Sequence, residues 1–125
     1  MPLLTTAVGR AYLAWAPEDE QETLLSLIAQ SDDELMRTLA RDRRRVRRML
    51  ADTRRRGYSV NWGEWSVYPH ISAAGIPLMS AGRLVGAMTL GFPNKAISQA
   101  DLKSRFVPKL AALAQTIGKD IRAWI

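Results

Sequence analysis

The chain has 125 residues, 47% of them apolar, with a formal net charge of +6. That is enough for one globular domain with its own core, and too apolar for a disordered chain. With no cysteine and a single histidine, His70, the chain excludes disulfides and cysteine-held metals and argues against a His-based metal site or a Ser/His/Asp triad. No run of membrane-spanning length and no signal or lipidation motif is present, so a cytoplasmic protein without membrane contact is expected.

Met1 to Thr6 reads as a short extended lead-in, with Thr5 or Thr6 as N-cap of a helix from Ala7 to about Ala14. Gly9 lies early in that helix, where propensity alone would not put it. A glycine there admits a close approach, either by a neighbouring element or by a ligand at the helix N-terminus. The free N–H groups and the helix dipole at Thr6 to Gly9 suit a carboxylate. Pro17 fits the first position of a second helix, with acids through Glu22 in its opening turn. Leu24, Leu25, Leu27 and Ile28 supply its buried stripe, to about Gln30. Ser31-Asp32-Asp33 marks a turn or a new cap. Periodicity would allow one helix from Asp33 to Arg56, but only charge and Ala40 lie between Leu39 and Val46. A break is expected there, with Asp42 as N-cap of a helix to about Arg56 and Gly57 as its C′ residue.

Ten arginines, from Arg37 to Arg56, carry most of the charge excess. Basic residues in series on a helix are usually a solvated face. A nucleic-acid-binding module using Arg43 to Arg56 is one reading, although no helix-turn-helix, zinc-finger or RNA-binding signature accompanies the run.

Tyr58 to Asn61 reads as a short strand, followed by a loop from Trp62 to Pro69 that contains Trp65. Ile76 to Met79 and Leu84 to Leu90 are strand-length apolar runs, separated by a tight reversal at Ser80-Ala81-Gly82. On the second run Leu84, Gly86, Met88 and Leu90 share one face, and Val85, Ala87, Thr89 and Gly91 the other. The bulky face is expected to pack on helices. The small face is either a pocket floor or a surface that lets a helix come close. Ser98, with Asp101 three residues on, caps a closing helix to about Trp124, kinked at Pro108. Its stripe is Leu102, Phe106, Leu110, Leu113, Ile117 and Ile121. Three antiparallel strands are few for four helices, so the sheet is expected to be completed by strands outside this chain or from a partner.

These residues carry a family resemblance. Pro2-Leu3-Leu4-Thr5-Thr6-Ala7-Val8-Gly9-Arg10-Ala11-Tyr12-Leu13-Ala14 resembles the P-L-x-x-T/S-A-x-G-K/R-A-x-L-A segment of the effector-binding domain of IclR-type transcriptional regulators. Arg56 to Asn61 resembles that family's R-G-Y-x-x-D/N segment. Ile71 to Leu78 and Gly82 to Thr89 are similar to its hairpin, and Leu110 to Ile121 to its closing helix. Asn61 with Trp65, and the ungapped run from Gly57 into the hairpin, look most like the activators that answer hydroxyphenylpropionate-type aromatic acids.

The resemblance implies an α/β (α+β), GAF-like sensor over residues 1–125, with an antiparallel sheet packed by helices and the domain's early strands missing. It also implies a small organic acid effector, a homo-oligomer, and DNA contact only through a winged-helix domain absent from this chain. Carried over by position, the anion-holding backbone falls on Ala7 and Val8 beside Thr6, and the polar side chain on Asn61. The small hairpin residue falls on Ala73, and the small or hydroxyl positions of the last strand on Thr89 and Gly91. Trp62 and Trp65 are expected as aromatic walls. No paired carboxylates or activated nucleophile stand out, so neither catalysis nor a cofactor is expected. An oligomerisation domain with a vestigial pocket is the third reading.

Overall fold

In the computed structural model, residues 2–64 and 68–124 are described, Ala123 and Trp124 by their backbone alone. The elements run α1 (Ala7–Trp15), α2 (Glu18–Ile28), α3 (Glu34–Arg41), α4 (Arg43–Arg56), β1 (Ser59–Asn61), β2 (Ile71–Ser80) and β3 (Arg83–Pro93). The chain closes with α5 (Gln99–Asp101), a π-helical turn (Leu102–Phe106) and α6 (Val107–Trp124). The fold is a mixed one, an antiparallel sheet in the order β1-β2-β3 flanked by helices.

Local chemistry sets most of the boundaries. Thr6 caps α1 by accepting the Gly9 N–H at 3.1 Å, Asp33 caps α3 through Met36, and Asp42 caps α4 through Arg45. Gly57, at φ +94°, ends α4 in the left-handed conformation that suits glycine. The break between Leu39 and Val46 is therefore real, and it lets α3 and α4 fold against each other. The β2–β3 reversal places Ala81 at φ 52° and Gly82 at φ 76°, the two positive angles a two-residue hairpin requires.

Several local expectations are corrected. Residues 3–5 turn instead of extending, because the Thr6 hydroxyl donates to the Pro2 carbonyl and folds the lead-in back over α1. A Cβ at Gly9 would lie 2.6 Å from the Leu3 Cα, so this glycine answers to neighbouring backbone. Pro17 is the N-cap of α2 and not its first helical residue. Leu27 is 62% exposed, since only the Leu25 side of α2 faces the other helices. The strands of the hairpin extend well beyond the apolar runs, from Ile71 to Pro93, because the ladder continues through small and polar pairs.

The closing helix is interrupted where Pro108 lacks an N–H. The Val107 amide reaches back to Leu102, and the turn widens just before the proline. Downstream, Leu110, Ala114 and Gly118 form the buried row, while Leu113 is 50% exposed. Gly118 sets that choice: a Cβ there would strike the Met79 carbonyl, and the Ser80 hydroxyl donates to the Gly118 carbonyl at 2.9 Å.

Three clusters make the core. Leu4, Leu13, Leu25, Met36, Val46 and Leu50 join α1 to α4. Tyr58, Ala74, Phe92 and Leu102 fill the space between the sheet and the π turn, and Ile76, Leu110 and Ala114 join the sheet to α6. The bulky face of β3 packs there through Met88 and Leu90, as its side-chain alternation requires. The opposite face carries α1, which lies against all three strands.

Gly75 admits that contact. A Cβ at this position would meet the Ala7 carbonyl and lie 2.5 Å from the Ser59 Oγ. Gly75→Ala is expected to lower stability by about 2 kcal/mol, the usual scale of overpacking. Gly86→Ala, whose new methyl would find only Leu78 Cδ1 at 3.7 Å, is expected to stay within about 0.5 kcal/mol of the parent. Urea denaturation of both variants measures the difference.

Candidate functional site

Pairing register builds one candidate site. Asn61, Ala73 and Gly91 are direct cross-strand neighbours, and so are Ser59, Gly75 and Thr89. Directly opposed residues project to the same side of a sheet, and Gly75 and Ser59 face α1. The first turn of α1 is fastened to this face by side chains of β1. The Ser59 hydroxyl donates to the Ala7 carbonyl, and the Asn61 amide donates to the Thr5 carbonyl.

Asn61 also shapes the loop that follows. Its Oδ1 accepts the N–H groups of Gly63 at 2.9 Å and Glu64 at 2.7 Å, and its Nδ2 donates to the Glu64 carbonyl at 3.2 Å. Thr6 is committed as well, to Pro2 and Gly9. The Gly9 amide is thus capped, while those of Ala7 and Val8 are first-turn donors that an α-helix cannot satisfy internally. Ala73 is half-buried; Thr89 and Gly91 are exposed, and the Thr89 hydroxyl donates to the Ala74 carbonyl at 3.1 Å. Asn61, Ala73, Thr89 and Gly91 thus lie on the sheet face against which Ala7, between Thr6 and Val8, is packed. Trp62 goes elsewhere, edge-on to Phe92 with ring centroids 5.7 Å apart. Trp65 lies outside the described residues.

Arg10 was not singled out from the sequence, yet it ties α1 to β1. Its Nε donates to the Leu4 carbonyl at 2.9 Å, its Nη1 to the Val60 carbonyl at 2.8 Å, and Nη2 lies 3.9 Å from the Glu64 carboxylate. Burial lowers its pKa from the ordinary arginine value; Glu64 opposes that shift, and Arg56 and Arg45 add to it. A signal was available: Arg10 falls three residues after Ala7 and four before Ala14, on the helix's apolar stripe.

A cleft of about 400 Å³ opens between α4 and the outer edge of β1. Leu39, Val46, Met49, Val60 and Trp62 form its apolar wall, and Arg10, Arg45, Arg48 and Arg56 line it with Asp52 and Glu64. Arg56 is held by the Tyr58 carbonyl at 3.0 Å and lies 5.0 Å above the Tyr58 ring. On the far side of α4, Arg43 and Arg47 pair with Glu22 at 3.0 and 3.5 Å. The arginine run is thus divided among different neighbours instead of forming one basic track.

Among the described residues, no group of three or more His, Asp or Glu side chains could hold a metal ion, and no helix is long and apolar enough to cross a membrane. Asn61→Ala would strip the Thr5 carbonyl and two loop N–H groups of partners; a loss of about 2 kcal/mol is expected in chemical denaturation.

Comparison with known proteins supports the fold. A family model described as the bacterial transcriptional regulator IclR C-terminal domain matches residues 1–119. An IclR-family regulator from Brucella abortus is 27% identical, with a TM-score of 0.73, over 94% of this chain and 44% of that one. A transcriptional regulator from Rhodococcus sp. RHA1 shares the fold at 24% identity and TM-score 0.79, over 98% of this chain and 49% of its own. The C-terminal domain of the E. coli regulator KdgR shares it at 22% identity and TM-score 0.74, over 96% and 71%. The chain thus spans less than half the length of the first two. It belongs to the family of bacterial transcriptional regulators that share the IclR C-terminal domain.

Proposed function

We propose that this chain is the ligand-sensing part of a transcriptional regulator, binding a small organic carboxylate to control DNA binding by a separate winged-helix domain. The observation that carries the reading is the first turn of α1, laid on a sheet face of small residues, where Thr6 caps the Gly9 amide and those of Ala7 and Val8 have no partner within the helix. A carboxylate there would accept from those amides and gain from the helix dipole, an effect of roughly 1 kcal/mol per favourable contact. Ala73, Thr89 and Gly91 are the small residues beside it, the last two exposed. An aromatic acid of the hydroxyphenylpropionate type is the proposed class, resting on Trp62 and Trp65 in the sequence and on the likeness of Asn61 with Trp65, and of the ungapped run from Gly57 into the hairpin, to that branch. The Asn61 side chain, whose Nδ2 donates to the Thr5 and Glu64 carbonyls, steadies the chain beside the anion and, unlike an aspartate, adds no negative charge there.

Thermal-shift titration with small carboxylates, from pyruvate and glyoxylate to hydroxyphenylpropionates, tests the reading. A ligand held only by the folded chain stabilises it by about 2.7 kcal/mol at a hundredfold excess over Kd. One class of acid is expected to raise the melting temperature saturably. Gly91→Val should abolish the rise while leaving the apo melting temperature nearly unchanged, since a Cβ at 91 meets nothing closer than the Ser72 carbonyl at 3.9 Å. A flat response to the whole panel would contradict the proposal.

A further inference from the structure

The α4–β1 cleft is not accounted for by the sheet-face reading. It lies across the β1 edge, on the Val60 and Trp62 side, away from the Asn61–Ala73–Gly91 row. Its charge is lopsided, with four guanidinium groups and two carboxylates along its walls. One carboxylate, Asp52, is engaged at 2.6 Å by Arg55, which is not part of the lining. Arg56 is fixed by the Tyr58 carbonyl, which orients a guanidinium without neutralising it, while Arg10 is held by two backbone carbonyls with the Glu64 carboxylate 3.9 Å away. Val46 and Met49 on α4 and Val60 and Trp62 on the β1 side give the same cleft an apolar lining. Guanidinium groups beside apolar side chains and an indole select an amphiphilic anion.

We propose that this cleft is a second acid-binding site, separate from the sheet face, that takes a monocarboxylate with a flat aromatic body between Trp62 and α4. The carboxylate meets the arginine rim, where charge-assisted hydrogen bonds are stronger than neutral ones. The ring displaces water from Met49, Val60 and Trp62. A bound acid bridges α4 to β1, and through Arg10 it reaches the first turn of α1, so occupancy of the cleft couples to the sheet-face region.

Calorimetric titration of the intact chain with 2-naphthoate, paired with 2-naphthamide, tests this directly, and the Trp62 indole N–H resonance locates the site. Saturable binding of the naphthoate is expected, with the neutral amide at least about tenfold weaker and the Trp62 resonance shifted. Arg48→Glu and Arg45→Glu, both at exposed positions, should each weaken it by about tenfold or more, whereas Gly91→Val should leave it within about threefold. No saturable binding up to about 10 mM would overturn the proposal, as would equal affinity for the amide. Binding lost in Gly91→Val but kept in both arginine variants would assign the acid to the sheet face instead. Displacement of the naphthoate by duplex DNA with a steep salt dependence would make the cleft part of a nucleic-acid surface and equally end the proposal.

Discussion

The Ala7 carbonyl occupies space that the Cβ of any residue but glycine at position 75 would need, and much of the domain follows from that contact. It fixes the distance between α1 and the sheet. At that separation the Ser59 hydroxyl reaches the Ala7 carbonyl and the Asn61 amide reaches the Thr5 carbonyl. These are buried carbonyls, and leaving one unpaired costs roughly 1–3 kcal/mol, so the three-residue strand β1 is held by side chains as well as by its ladder. A strand this short would otherwise define its position poorly. The helix N-terminus, the sheet face and the loop after Asn61 are positioned by one set of bonds.

Electrostatics follow the same frame. Arg10 bridges Leu4 and Val60 from inside the fold, and Glu64 is near enough to offset part of its charge without a close ion pair. The α4 arginines then add positive charge around a cation already raised in energy by burial. Opposite-sign partners exist for Arg43, Arg47 and Arg55, all at the surface where such pairs contribute well under about 1 kcal/mol each. The basic helix is accordingly a face shared among several roles, and its net charge alone does not describe it.

Much of this was legible in the residues. Asp42 and Gly57 bracket α4 because capping is local chemistry that no distant contact overrides, and the face assignment of Met88 and Leu90 follows from strand alternation. What escaped depends on contacts far apart in sequence. Leu113 has helical spacing suited to the core, but Gly118 against the Met79 carbonyl seats α6 on the Leu110–Ala114 row. Leu27 belongs to an apolar stripe wider than the surface available to bury it. Of the candidate site, alternation and resemblance point to the residues on α1 and the strands. Trp62 is expected as an aromatic wall, yet it follows Asn61 and so turns to the other side, where its ring meets Phe92. For Arg10 the place on the apolar stripe signals burial, but its partners, the Leu4 and Val60 carbonyls, are far enough away in sequence that only the fold names them.

If a small acid is held by the first turn of α1 over the sheet face, backbone amide chemical shifts will report it while a stabilising carboxylate is titrated. Large downfield shifts of the Ala7 and Val8 amide protons are expected, saturating with the same Kd as the thermal response, with smaller changes at Ala73, Thr89 and Gly91. A saturable thermal response with those amides unmoved would contradict this binding mode, and would place the acid elsewhere on the domain.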